Sequence, residues 1–134
     1  MPSQKIAYLG PEGTFTHQAA SRFEPKAELV AYPSFHEALL AVKKKKADAA
    51  CIAVENMLGG MVRENLDDVY QLDLKVKSEL ALPIHHCLAT HAKTDKITQL
   101  IGHPQALNQC REYISKHYPK AICHEAASNT AGMQ

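Results

Sequence analysis

The clearest structural signal in this chain is IAYLGPEGTFTHQAASRF, residues 6–23. Residues 6–9 are apolar and typical of a short strand, and Gly10–Gly13 has the glycine and proline residues of a turn. Thr14 then opens a helical stretch that continues to residue 23. This part of the sequence therefore predicts a strand, a glycine turn and a helix, in that order.

The same alternation continues along the rest of the chain. A capping box at Ser34 and Glu37 predicts a second helix, and apolar spacing at Val62, Leu66 and Val69 predicts the inner face of a third. Further strands are predicted at residues 29–32, 49–54, 74–89 with an interruption at Pro83, 100–102 and 121–123. A helix over 104–117, with Leu107, Cys110, Ile114 and His117 on one face, and another from Ser128 complete the prediction. This alternation predicts an α/β fold with mainly parallel sheets.

Composition and charge limit the possible partners. The apolar fraction of 46% is enough for one ordinary domain or two small lobes. Fifteen basic and fourteen acidic residues give a net charge of +1, so no overall field favours nucleic acid or an anionic membrane. The run Lys43–Lys46 is expected to be the solvated end of a helix. Without a leader-like N-terminus or a long apolar run, the protein is expected to be cytoplasmic.

The cysteines and histidines do not form a recognisable metal motif. The four cysteines are widely separated and contain no CxxC pair, so we expect reduced and mostly buried thiols. Among the eight histidines there is no HExxH, and the adjacent pair His85 and His86 would point to opposite faces of a strand. The sequence therefore predicts no metal site.

Glycine turns follow the predicted strands, where ligands of parallel sheets bind. The segment Gly10–Thr14 fits neither the P-loop nor the dinucleotide fingerprint, which disfavours nucleotide binding. Helix N-termini are predicted near Thr14, Gly60 and Ser128, and their free N–H groups would suit a small carboxylate ligand. The alternative is that these are only capped helices joined by tight turns, and the pattern alone leaves both open.

Five segments, in the same order, resemble motifs of prephenate dehydratases. They are residues 8–20 (YLGPEGTFTHQAA), 54–62 (VENMLGGMV), 84–88 (IHHCL), 103–107 (HPQAL) with Gln109 and Cys110, and 129–132 (NTAG). Met57 differs, because the family usually has a serine there. The family's Thr-Arg-Phe motif, whose threonine is credited with catalysis, is expected to lie beyond Gln134, and so is the ACT regulatory domain that often follows. The catalytic residue is therefore unknown, and we expect this chain alone to be an inactive fragment or a divergent relative.

The resemblance also implies a fold and an activity. The family fold is similar to a type II periplasmic binding protein, so residues 1–75 would form the first lobe and 76–134 an incomplete second lobe, with the active cleft between them. The implied reaction is the decarboxylating dehydration of prephenate to phenylpyruvate in phenylalanine biosynthesis, catalysed by a hydro-lyase. It implies a small-molecule substrate, no cofactor and no metal, no nucleic-acid or membrane partner, and a homo-oligomer.

The resemblance implies six substrate-binding residues: Thr14, Asn56, Gly59, Gly60, His86 and Thr130. Each has a simpler alternative. The threonines would be plain N-caps, the asparagine would form a local Asx turn, the glycines would only supply positive φ, and the histidine would be a satisfied core residue. Glu55 is expected to orient neighbouring donors rather than act as an acid.

Two other functions compete with this interpretation. A noncatalytic module that binds small carboxylates would keep the cleft and lack the acid, as the missing Thr-Arg-Phe motif would suggest. An arogenate dehydratase would act on a substrate with an amino group in place of the keto group. The pair Gly59 and Gly60 resembles the turn of such enzymes.

Overall fold

The computed structural model describes residues 3–91 and 93–133. Contacts divide the chain into two units, one ending at Pro83 and the other beginning at Ile84. Each unit contains parallel strands with helices between them. The predicted α/β class with mainly parallel sheets is confirmed.

The first unit follows the predicted alternation of strands and helices. Its elements are β1 (Lys5–Leu9), α1 (Phe15–Phe23), β2 (Glu28–Tyr32), α2 (Phe35–Lys43), β3 (Ala49–Cys51), β4 (Glu55–Asn56), β5 (Gly60–Met61) and α3 (Arg63–Gln71). A parallel sheet has the order β2-β1-β3, which places the apolar strand β1 in the centre. The ends of β1 and β2 therefore lie at one edge, because Leu9 is paired with Tyr32. The antiparallel pair β4 and β5 was not predicted.

Small side chains form the core between α2 and the sheet. Ala7 of β1 and Ala38 of α2 have no exposed surface, and Ala41 and Ala47 belong to the same buried cluster. Alanine brings a helix close to a sheet because it has only a methyl group to accommodate. Any larger residue at the centre of this contact must push the helix away.

The two ends of α2 agree with the sequence signals. Ser34 Oγ accepts a hydrogen bond from the Glu37 backbone N–H at 3.1 Å, which caps the first turn. The helix ends at Lys43, and Lys45 adopts a φ of 57° just beyond it. The side chains of the run Lys43–Lys46 are exposed, as expected for a solvated helix end.

The second unit is built around one pair of parallel strands. It contains a short 3-10 turn (Thr94–Lys96), β6 (Gln99–Gly102), α4 (Pro104–Gln109), α5 (Arg111–His117), β7 (Ile122–Glu125) and α6 (Asn129–Gly132). Leu100 of β6 is paired with Cys123 of β7 and is buried. No helix in the described part of the chain is long and apolar enough to cross a membrane.

The strand predicted over residues 74–89 is wrong. This segment has no regular secondary structure, and nearly all of it is exposed. The alternating apolar pattern of Val76, Leu80 and Leu82 was correctly identified, but a strand also needs a neighbouring backbone to accept and donate its hydrogen bonds. None of the described strands pairs with this segment.

Three smaller predictions also need correction. The helix expected over 104–117 is interrupted at Cys110, where a turn separates α4 from α5, and His117 is exposed rather than on the inner face. The strand expected over 49–54 ends at Cys51 and is only half-buried, because the chain leaves the sheet to form the β4–β5 pair. The last strand lies slightly later than predicted, at Ile122–Glu125.

The cysteines are free, as predicted, but they are not mostly buried. Cys51 and Cys110 are half-buried, whereas Cys87 and Cys123 are exposed. Cys87 lies in the irregular segment and Cys123 on β7, whose residues are all exposed. Burial raises the pKa of the Cys51 thiol, which disfavours its reactive thiolate form.

Candidate functional site

The turn after β1 is shaped by its two glycines. The Gly10 N–H donates to the Tyr32 carbonyl at 2.9 Å, and a Cβ on Gly10 would lie 2.9 Å from the Cβ of Ala31, so a side chain would force the strands apart. Gly13 has a φ of +92°, which favours glycine because other residues meet steric strain there. The turn thus brings the chain directly from the end of β1 to the start of α1.

Thr14 caps α1, and its hydroxyl is used within the protein. Its Oγ1 accepts from the His17 backbone N–H at 3.3 Å and donates to the Leu9 carbonyl at 2.8 Å. Since a hydroxyl has one proton, this arrangement leaves none for a carboxylate ligand. The structure therefore shows that Thr14 is the N-cap of α1. A contact between Thr14 and substrate stays a prediction.

His17 holds the same turn from the helix side, a role that the sequence analysis did not assign. Its Nδ1 accepts from the Gly13 N–H at 3.2 Å, and its ring lies 5.0 Å from that of Tyr8, centroid to centroid. Burial, and to a smaller extent the Glu12 carboxylate, raises the pKa of Tyr8. The i, i+4 spacing from Gly13 to His17 was visible in the sequence, but no rule links it to this bond.

Asn56 forms a local turn and keeps a donor available. Its Oδ1 accepts from the Leu58 N–H at 3.1 Å, which is the Asx turn that was the alternative to substrate binding. Among the described residues, none receives a hydrogen bond from its Nδ2 group. Because the turn fixes one end of the amide, the other end has a defined direction. Local turn formation and ligand binding are therefore compatible at this residue.

The glycines that follow complete the turn. Gly59 lies within it, and Gly60 begins β5 opposite Asn56 with a φ of +75°. Apart from Gly60 itself and its two chain neighbours, no described residue has an atom within 4 Å of the position of a Cβ on Gly60. A side chain would therefore have space there, and positive φ is the requirement that the structure shows. Met57, where the family usually has serine, is exposed.

A shallow cavity of about 330 Å³ lies beside the carboxyl ends of β1 and β2. Its lining includes Leu9, the first turn of α2 and part of α3. His36 Nδ1 and Asp68 Oδ2 are 2.9 Å apart at this cavity and join α2 to α3. Asn65 also lines it and is almost fully buried.

The two remaining candidates belong to the second unit. His86 is exposed rather than in the core, and its Nε2 lies 2.5 Å from Gln109 Oε1 at the end of α4. Thr130 is the second residue of α6, a helix whose N-cap is Ser128. Asn129 Oδ1 accepts from the His103 N–H at 2.8 Å, so the beginnings of α4 and α6 are tied together.

The helix N-termini differ in how they are capped. Thr14 and Ser128 cap α1 and α6 with their side chains, whereas Val62 before α3 provides no side-chain cap. The helix that the sequence predicted to start near Gly60 begins at Arg63. Within residues 3–91 and 93–133, no group of three potential metal ligands is close enough to hold an ion.

Thr14→Ala is expected to lower the free energy of unfolding by about 1 kcal/mol, because it removes the N-cap acceptor and the donor to Leu9. Thr14→Ser keeps the hydroxyl and should remain within about 0.5 kcal/mol of the original protein. Urea unfolding of the two variants makes the comparison. Equal losses from alanine and serine would contradict this role of the hydroxyl.

The fold and its turns define an α/β protein whose parallel strands β1 and β2 end beside a glycine turn, which is the edge where open α/β sheets bind their ligands. Residues 6–134 match the family profile described as prephenate dehydratase. The chain therefore belongs to the prephenate dehydratase family, as the motifs predicted.

Curated relatives with similar sequences include both kinds of dehydratase. The chain is 38% identical to arogenate dehydratase 5, chloroplastic, of Arabidopsis thaliana over 95% of its length, and 37% identical to the prephenate dehydratase of Lactococcus lactis over 97%. It covers 30% of the plant protein and 47% of the bacterial one. The chain thus spans less than half the length of either relative.

One solved structure agrees with the family assignment, and a second agrees with the fold. The prephenate dehydratase of Arthrobacter aurescens, crystallised with L-Phe, matches with a TM-score of 0.84 and 27% identity. The match covers 96% of this chain and 44% of that one. The Staphylococcus aureus enzyme matches over 97% of this chain and 50% of its own, with a TM-score of 0.81; at 22% identity, this likeness shows the fold alone.

Proposed function

We propose that the protein containing this chain catalyses the decarboxylating dehydration of prephenate to phenylpyruvate, a step towards phenylalanine. The family match over residues 6–134 carries this proposal. It is supported by the Lactococcus lactis relative, which is 37% identical and is named prephenate dehydratase.

The reaction needs orientation and one proton. The bond from the ring to its carboxylate breaks, carbon dioxide leaves, and the electron pair enters the ring as the hydroxyl departs with a proton as water. Aromatisation provides the driving force, so the residues have chiefly to hold the substrate and protonate the leaving group. No electron donor or acceptor is consumed, and we propose that the reaction uses no cofactor or metal.

The substrate is a dianion that loses one carboxylate as a neutral gas. Its site should therefore bind the retained pyruvyl carboxylate firmly and the departing one weakly. We propose that the Asn56 Nδ2 group donates to the retained carboxylate, because the turn orients it and no described residue accepts a hydrogen bond from it. Thr14 and the backbone of Gly59 and Gly60 are weaker candidates in the same unit, and His86 and Thr130 are the candidates in the other.

Arogenate is the second candidate substrate, since the Arabidopsis thaliana relative is 38% identical and is named arogenate dehydratase. The two substrates differ in a keto group against an ammonium group, and identity to the two kinds of relative is nearly equal. Substrate preference must therefore be measured.

The test is to purify the protein expressed from its own gene and to supply prephenate or arogenate. We expect phenylpyruvate from prephenate at a rate well above a protein-free control, and less phenylalanine from arogenate. Preference for arogenate would replace the first proposal with the second. A folded protein that binds either compound without turnover would instead support the noncatalytic binding module.

Three expectations from the sequence remain predictions. They are the lobe boundary between residues 75 and 76, a homo-oligomeric state, and a cytoplasmic location. The compact units described above divide after Pro83, which lies beyond that boundary.

A further inference from the structure

Asn65 is unusual because it is a polar residue inside the first unit. Only 5% of its surface is exposed, and it is the one buried polar residue in the part of the chain that the structure describes. It lies in the first turn of α3, on a helix that has no side-chain N-cap. Burying an amide side chain costs free energy unless the amide is hydrogen-bonded. The hydrogen-bond partner of Asn65 therefore identifies the part of the chain that this side chain holds in place.

That partner is the backbone just before the candidate site. Asn65 Nδ2 donates to the Ala53 carbonyl at 2.6 Å, and the neighbouring backbone N–H of Val62 donates to the Val54 carbonyl at 2.9 Å. Residues 52–54 lie between β3 and β4 and belong to neither strand. The beginning of α3 therefore holds this connection at two successive carbonyls.

Only one residue, Glu55, separates Asn56 from the connection formed by residues 52–54. Its pairing with Gly60 and its turn to Leu58 are local, so they set the shape of the turn but not its position relative to the sheet. The position depends on the connection from β3, and Asn65 is the side chain bonded to that connection.

We propose that Asn65 is a positioning residue that fixes the place and direction of the Asn56 amide through the Ala53 carbonyl. The effect on catalysis rests on the proposed function, because it assumes that Asn56 binds substrate. The effect of Asn65 on the position of the turn does not depend on that assumption. Without the donor, the Ala53 carbonyl must turn towards water, and the uncapped start of α3 can move with it.

The first test measures amide hydrogen exchange in the protein expressed from its gene, without substrate. Asn65→Ala is expected to speed exchange of the Leu58 and Val62 amides about 3- to 10-fold, as loss of one hydrogen bond implies. The β1 amides should be unchanged. The matched control is Gln71→Ala, an exposed amide at the other end of α3, which should leave all these rates unchanged.

If Asn65→Ala does not fold, Asn65→Ser is measured instead. Its shorter side chain weakens the donor, so a smaller increase is expected at the same two amides. A uniform increase that includes β1 would show a general loss of stability and would overturn the positioning role. Unchanged exchange at Leu58 and Val62 in a folded variant would overturn it as well.

The second test is a double-mutant cycle on kcat/KM. If Asn65 acts through Asn56, Asn65→Ala should lower kcat/KM about tenfold, while the double variant with Asn56→Ala should be within about twofold of Asn56→Ala alone. Losses that multiply would mean that the two residues act independently, which contradicts the proposal. If the unmodified protein turns over neither substrate, the proposed function fails. The exchange test then still decides whether Asn65 fixes the position of the turn.

Discussion

Asn56→Ala is expected to lower kcat/KM for prephenate by about 10- to 150-fold. Removing one hydrogen bond to a charged carboxylate removes about 1.5–3 kcal/mol of transition-state stabilisation. Because Asn56 Oδ1 also accepts from the Leu58 N–H, the same variant should lose about 1 kcal/mol of stability. Steady-state kinetics and urea unfolding of one preparation measure both effects.

Asn56→Asp separates the two roles of this side chain. Aspartate keeps an oxygen for the Leu58 N–H but has no Nδ2 donor, and its charge repels a carboxylate. We therefore expect stability close to that of the original protein and a loss of kcat/KM at least as large as that from alanine. An aspartate variant with unchanged kcat/KM would show that Asn56 is only a turn residue.

Ala38→Leu should have the largest effect on stability. Ala38 has no exposed surface and packs in the alanine cluster between α2 and the sheet. A leucine there must displace the helix, at a typical loss of about 1–3 kcal/mol. The midpoint of urea unfolding should fall while its slope stays unchanged.

Lys43→Leu is the matched control for that substitution. It introduces the same side chain at an exposed position at the end of α2, so the free energy of unfolding should change by no more than about 0.5 kcal/mol. If both leucine variants unfolded at the same urea concentration, overpacking would not explain the loss at Ala38.

Local signals in the sequence were sufficient for the first unit's main elements. The Gly10–Gly13 turn, the Ser34 cap and the solvated helix end in the run Lys43–Lys46 were all predicted correctly. Each depends on groups within a few residues of one another: positive φ at glycine, a side-chain oxygen and a nearby N–H, or cations at a helix end. The family motifs could also be recognised from the sequence, because they depend on residue order alone.

Features that join distant parts of the chain could not be predicted in this way. The apolar alternation over 74–89 is genuine, yet the segment forms no strand, since hydrogen-bonding partners come from the fold and not from the segment itself. The burial of Asn65 could not be predicted either, because its hydrogen-bond partner, the Ala53 carbonyl, is twelve residues away in the sequence. At Asn56 the sequence allowed either a turn or a donor to ligand. In the structure its oxygen is bonded within the turn and no described residue accepts a hydrogen bond from its nitrogen, so the two roles are compatible and ligand binding stays a prediction.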